Sequence, residues 1–218
     1  PVGSPPRRAR GPPGCGMKVY VETNFILELA FLQEQLDSCQ NIVQLCSDER
    51  ATLVLPMFCV AETYETLIRR KKERDRVAEV LGQQLRQVSR SLPYKAAIDA
   101  LQDITALLVR SSEEEDQRLQ RALDTLLRLT DLVPLTPTVV TDATRYRTAY
   151  DLEPQDALVL ASVINHIVGE GVTQSCFLNR NNKDFDDSDI HDLLSTHGCK
   201  MLFSFEQGYN YIQYRGGA

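Results

Sequence analysis

Apolar residues recur along the chain in two alternating rhythms. Lys18, Val19, Tyr20 and Val21 form a short β-branched and aromatic run, the pattern of a strand. Thr23-Asn24 breaks it, with Asn24 placed to N-cap a helix in which Phe25, Ile26, Leu29 and Ala30 recur at helical spacing. A second helical stretch covers roughly 36–48. Thr52, Leu53, Val54 and Leu55 read as the next strand, closed by Pro56, and an apolar helix follows from about Met57.

The middle of the chain reads as helical. Val77, Val80, Leu81, Leu85 and Val88 form one stripe, and Ala97, Leu101, Ile104 and Leu108 another. Leu119, Ala122, Leu123, Leu126 and Leu127 form a third, with Pro93 and the Ser111-Ser112 pair as punctuation. A short strand is expected near 132–135, then helices at about 138–150 and from Gln155 to Val168. Positions 157–163 are apolar on nearly every face and predict a deeply buried helix. Ser175, Cys176, Phe177 and Leu178 form a strand, 179–189 a polar loop, and 200–203 the last strand. Strands alternating with helices predict an α/β fold. Its centre is a parallel sheet of about five strands flanked by helices, with a helical insertion at about 77–131.

Composition changes this picture little. Of 218 residues, 43% are hydrophobic and 25% charged, an ordinary globular balance. The net charge of −6 argues against a broad basic face for nucleic acid. It does not speak against a local patch, and residues 69–76 hold six basic and two acidic side chains. Those eight residues read either as a phosphate-contacting patch or as a solvated helix face with internal ion pairs. Cys15, Cys39, Cys46, Cys59, Cys176 and Cys199 form no C-x-x-C pair and predict reduced thiols in a cytoplasmic protein. His166, His191 and His197 stand at no zinc-ligand spacing from them. No apolar run reaches the roughly 18 residues of a membrane span. Residues 1–16, rich in Pro, Gly and Arg, read as a disordered leader or a segment foreign to the natural chain. Residues 17–218 read as one domain.

Four carboxylates stand out by position. Glu22 ends the first strand, and Asp184 follows the fourth; ligands of open α/β sheets bind beyond such carboxyl ends. Glu62 lies within an apolar helical run, and Asp156 opens the most apolar helix. Each has a plain structural alternative. Glu22 fits a strand-end surface residue, and Glu62 has Arg69 or Arg70 within ion-pairing reach. Asp156 would favour a helix N-terminus through the dipole, and Asp184 has Asp186, Asp187 and Asp189 beside it as a solvated acidic loop. Converging, the four would repel one another, and hard oxygen ligands suit Mg²⁺ or Mn²⁺.

These segments resemble the PIN-domain family, whose members include VapC-type toxins and RNA-processing nucleases. The likeness lies in Val19-Tyr-Val-Glu-Thr-Asn-Phe-Ile26, Ala61-Glu-Thr-Tyr-Glu-Thr-Leu67, Asp156-Ala-Leu-Val-Leu-Ala-Ser162 and Phe177-Leu-Asn-Arg-Asn-Asn-Lys-Asp-Phe185. The resemblance implies a metal-dependent endoribonuclease, with Mg²⁺ or Mn²⁺ at Glu22, Glu62, Asp156 and Asp184 as catalytic and metal-binding residues. It implies RNA as substrate, with Thr23 and Asn24 shaping the turn of the first acid and Asn24 and Asn181 as substrate-binding residues; Arg180 and Lys183, which flank the site, are candidates for substrate phosphate contacts. It also carries a toxin or defence role, an antitoxin-like inhibitory protein partner, a homodimer and no membrane association. The chain departs from the family at Glu22, where Asp is usual, at Asn179, where Thr or Ser is common, and in its longer helical middle. That middle would serve as a lid, a dimerisation arm or a docking surface. The competing readings are a catalytically degenerate PIN domain that binds RNA or protein, and a structure-specific DNA nuclease.

Overall fold

The computed structural model describes residues 17–94, 98 and 102–215; the leader at 1–16 and the stripe positions Ala97 and Leu101 lie outside them. In chain order, β1 (Met17–Val21) is followed by α1 (Thr23–Phe31), α2 (Leu36–Ser47), β2 (Ala51–Pro56) and α3 (Met57–Val88). A 3₁₀ turn at Leu92–Tyr94 precedes α4 (Gln102–Leu129), β3 (Asp131–Val133), α5 (Pro137–Tyr150) and α6 (Pro154–Glu170). The remainder is β4 (Ser175–Leu178), the one-turn α7 (Asn182–Phe185), α8 (Ser188–Thr196), β5 (Cys199–Leu202) and α9 (Phe205–Arg215). The expected α/β architecture is present. Five strands pair in the order β3-β2-β1-β4-β5, all parallel, with helices covering the sheet.

The central strand explains the apolar runs. Val19, Tyr20 and Val21 of β1 are fully buried, as are all four residues of β4. A parallel strand covered on both faces has no solvent side and so needs no alternation. From β1 the chain builds outward through β2 and β3 to one edge, then returns through β4 and β5 to the other. Strand order therefore reverses between β1 and β4, and a crevice opens beyond their carboxyl ends.

Sequence and structure part in several places. The N-cap of α1 is Glu22, not Asn24: its carboxylate accepts the Asn24 N–H at 2.7 Å. The stretch after β4 is not one loop, because buried Phe185 anchors α7 and places Asp184 on that single turn. Ser111-Ser112 does not interrupt α4. Their hydroxyls donate to the Leu108 carbonyl within the helix, at 2.8 and 3.2 Å, and so satisfy themselves without breaking it.

The helical middle is a hairpin of two long helices. Tyr64 of α3 meets Gln120 of α4 near the sheet, and Arg74 meets Glu115 further out in a bidentate pair at 2.7 and 2.8 Å. Only the inner part of α4 joins the core, through buried Leu119, Leu123 and Leu126. The stripe expected to pack along 77–88 is half in water: Val77, Val80 and Val88 are exposed. It lies beyond the sheet, where among the described residues the partner helix is what remains to cover it. Arg118 of α4 donates from Nε to the Ala30 carbonyl at 3.1 Å, tying the hairpin to the end of α1. No helix among the described residues is long and apolar enough to cross a membrane. Cys39, Cys46, Cys59, Cys176 and Cys199 are buried free thiols, and burial pushes the Cys46 and Cys199 thiols up to about 12.

Among the described residues two glycines hold left-handed backbone, Gly171 at the end of α6 and Gly198 before β5 (φ 61° and 68°). A Cβ on Gly171 would meet nothing within 4 Å, whereas one on Gly198 would lie 2.5 Å from the Thr173 carbonyl oxygen. Gly171→Ala is expected to cost about 1–2 kcal/mol, the left-handed penalty alone. Gly198→Ala should cost more, about 3 kcal/mol, because backbone must also move. Urea unfolding of both variants measures the difference, and equal destabilisation would show that the Thr173 clash is relieved freely.

Candidate active site

Glu22 leaves the end of β1 and stays 6% exposed. Its carboxylate accepts N–H groups from Asn24 at 2.7 Å and from Arg180 at 3.5 Å, so the loop after β4 closes over the first acid. Burial lifts its carboxyl from the ordinary 4.5 to about 7. The two N–H donors oppose that rise, and the Glu62 charge adds to it.

Glu62 comes from α3, which starts immediately after β2. Thr23 donates its hydroxyl to the Glu62 carboxylate, so the residue after the first acid orients the second. No ion pair joins Glu62 to Arg69 or Arg70 among the described residues. Asp156 stands in the first turn of α6, whose following residues are almost all buried. Burial raises it from 3.8 to about 6; the Asn181 amide opposes this, and the charges of Asp184, Glu62 and Glu153 add to it.

Asn181 links the last two acids. Its amide nitrogen lies 3.3 Å from both Asp156 oxygens and 2.8 Å from Asp184. Asn181 is itself fixed by buried Asn179, whose side-chain oxygen accepts the Asn181 N–H at 2.7 Å. Such Asx turns are the habit of Asn outside regular structure.

Glu22, Glu62 and Asp156 line one cavity of about 670 Å³, together with Asn24, Asn179, Arg180 and Asn181. Asp184 reaches it only through Asn181, and Lys183 is exposed on α7 away from the lining. Arg180 lines the cavity, but its guanidinium is tied to buried Glu28 of α1, with Glu34 3.7 Å away. Its present partners are therefore carboxylates of the protein. Arg69 and Arg70 also line this cavity. They belong to the basic run 69–76, and the signal that could have singled them out is their spacing of seven and eight residues from Glu62.

The donors are carboxylate and amide oxygens from four separate elements, which suits a hard divalent cation in chemical type. As they stand, the described residues include no group of three or more Asp, Glu, His or Cys side chains arranged to hold a metal ion. Thr23, Asn24 and Asn181 hold the carboxylate oxygens instead.

A protein-family model described as PIN domain matches residues 19–185, a span that contains all four acids and the helical hairpin. No curated protein and no solved structure gives a match.

The raised Glu22 carboxyl makes stability depend on pH. Between about 4.5 and 7 the folded state holds a proton that the unfolded chain has lost. Stability therefore falls as pH rises through that window, by on the order of 3 kcal/mol, and is flat above it. Asp156 adds its own fall between 3.8 and about 6. Glu22→Gln removes the first contribution and keeps the second. In EDTA, the variant should melt above the parent at about pH 8, with the gap closing towards about pH 5. Parallel melting curves for the two proteins at every pH would contradict a raised Glu22 carboxyl.

Proposed function

The chain belongs to the PIN-domain family, and from that premise we propose that it is a metal-dependent endoribonuclease whose working carboxylates are Glu22, Glu62, Asp156 and Asp184. PIN domains are generally nucleases, and divalent metals are typical of them. One observation carries the assignment to this cavity: acids from the end of β1, from α3 and from α6 line one space at the reversal point of a parallel sheet. Charges drawn together and partly buried in this way are costly unless a cation or a proton offsets them.

A Mg²⁺ or Mn²⁺ ion held by these carboxylates would supply a water of lowered pKa and neutralise charge on the phosphate. The protein's own side chains do the rest. Thr23 fixes the rotamer of Glu62, and Asn181 holds Asp156 and Asp184 at a set separation. Asn24 and Asn181 present amides at the cavity for phosphate or sugar oxygens. Glu28 restrains Arg180, so its backbone N–H stays on Glu22 while its guanidinium borders the substrate. Water would attack phosphorus and give up a proton to solvent or a cavity carboxylate as the bond to the leaving oxygen breaks; the leaving oxygen takes a proton from solvent, leaving a phosphate on one chain end and a hydroxyl on the other.

A toxin or defence role in the cytoplasm, an antitoxin-like inhibitor and a homodimer belong to the same reading. Lys183, exposed on α7 outside the cavity lining, would act only on the outer part of a bound strand. A binding module without catalysis is the second reading. It draws on Glu22 in the place of the usual Asp and on acids whose oxygens are held by Thr23, Asn24 and Asn181 and, among the described residues, are not arranged as a metal-holding group.

The two readings separate in one assay. Mixed single-stranded RNA incubated with Mn²⁺ or Mg²⁺ should be cut, and EDTA should abolish cutting. Asp156→Asn, which keeps shape and removes charge, should slow it at least about 100-fold, the upper end of what supporting residues of metal sites cost. RNA that is bound but left intact, with no metal binding by calorimetry, would establish the module and end the catalytic reading.

A further inference from the structure

Of the six cations between residues 69 and 76, Arg69 and Arg70 alone border the acidic cavity. The geometry of α3 explains the selection. At 3.6 residues per turn, Arg69 stands about 20° and Arg70 about 80° round the helix from Glu62, while Lys71 stands about 180° away. Thr66, between them and Glu62, lines the same cavity. One face of one helix thus carries an acid at its inner end and two arginines whose Cα positions lie about 10–12 Å further along its axis.

Their surroundings leave both cations available. Arg74, one turn on, is committed to Glu115 in its bidentate pair, and Arg180 across the cavity is committed to Glu28. Arg69 and Arg70 form no ion pair among the described residues, although Glu62 lies on their own face. Arg70 lies over the Phe31 ring with 4.5 Å from guanidinium carbon to centroid, which holds it in place without neutralising it. An arginine fixed by an aromatic face and left without a carboxylate is ready for a bidentate phosphate contact.

Resting on the nuclease reading, we propose that Arg69 and Arg70 form a clamp for the phosphates that flank the scissile bond of a single-stranded RNA, so that the strand lies along α3. The distance from Glu62 places the clamp beyond the reacting phosphate and on its neighbours. The cavity, about 670 Å³ with nearly buried Glu22 among its lining residues, has room for roughly one or two nucleotides of a strand. Local charge of this kind reconciles a chain of net charge −6 with a polyanionic substrate. Phosphate contacts position a strand without reading its bases, so the clamp confers polarity of binding and not sequence preference.

The test is the salt dependence of binding, a readout that a packing defect alone does not move. A fluorescently labelled oligouridine is titrated with the full chain carrying Asp156→Asn, in Mg²⁺, across a range of NaCl concentrations. On that background Arg69→Ala/Arg70→Ala should weaken binding about tenfold or more at low salt. It should also flatten the slope of log affinity against log salt by about 1.4, or about 0.7 for each phosphate of a single strand that an arginine no longer neutralises. Arg69→Ala alone, at an exposed residue, should give about half the slope change without disturbing the stacking of Arg70 on Phe31. Lys71→Ala should change affinity less than about twofold. An unchanged slope in the double variant, or an equal effect from Lys71→Ala, overturns the clamp. If the parent cuts RNA with metal and the arginine variants cut it with unchanged KM, the clamp falls and the nuclease stands. If the parent neither binds nor cuts RNA, both fall.

Discussion

The structure turns on the burial of one carboxylate, Glu22, at the point where the parallel sheet reverses strand order. A charged group removed from water is costly, and the local architecture is arranged around offsetting that cost. The Asn24 N–H in the first turn of α1 donates to it, the loop after β4 brings the Arg180 N–H to its other oxygen, and Thr23 beside it reaches Glu62. These contacts do not restore an ordinary carboxyl, which still titrates near 7. The residual cost is what a cation in the cavity would relieve, which links the strain of the fold to its proposed chemistry.

The loop after β4 follows the same logic. Asn179, buried at the strand end, fixes Asn181, and Asn181 spaces Asp156 and Asp184. Phe185 drops into the core against Phe177 and turns the backbone into a single helical turn. Arg180 is pulled the other way by Glu28, itself wholly buried and also bonded to the Gln35 N–H. A buried glutamate beneath a half-exposed arginine is stable only as a pair. That pairing is why a cation at the cavity rim is occupied with structure.

The long α3 joins two tasks on one rigid element. Its first turns carry Glu62 against the sheet, and its middle carries Arg69 and Arg70 past the cavity. The Arg74–Glu115 pair and the buried inner end of α4 brace it there. Beyond that brace the hairpin leaves the sheet, and Val77, Val80 and Val88 face water. Rigidity across the middle of α3 fixes the distance between acid and cation, and side chains on a helix hold such distances better than side chains on a loop.

The chain by itself determined the order of elements and the fold class. Periodicity is a local property: alternate runs of β-branched residues and helical stripes are legible because each element must bury one face or all of itself. The position of the acids at strand ends and helix starts was legible for the same reason, since the sheet's carboxyl edge follows from chain order. How Ser111-Ser112, residues 77–88 and the basic run are disposed was decided only in three dimensions. Two serines read as a break remain helical because their hydroxyls find a carbonyl one turn back. An apolar stripe stays exposed where the sheet ends, and six adjacent cations divide into one locked by Glu115, two facing the cavity and others in water. Which partner a polar side chain chooses depends on groups more than 40 residues away in the chain, such as Glu115 for Arg74 or Glu28 for Arg180. Sequence spacing holds no information about such partners until the fold has brought them together.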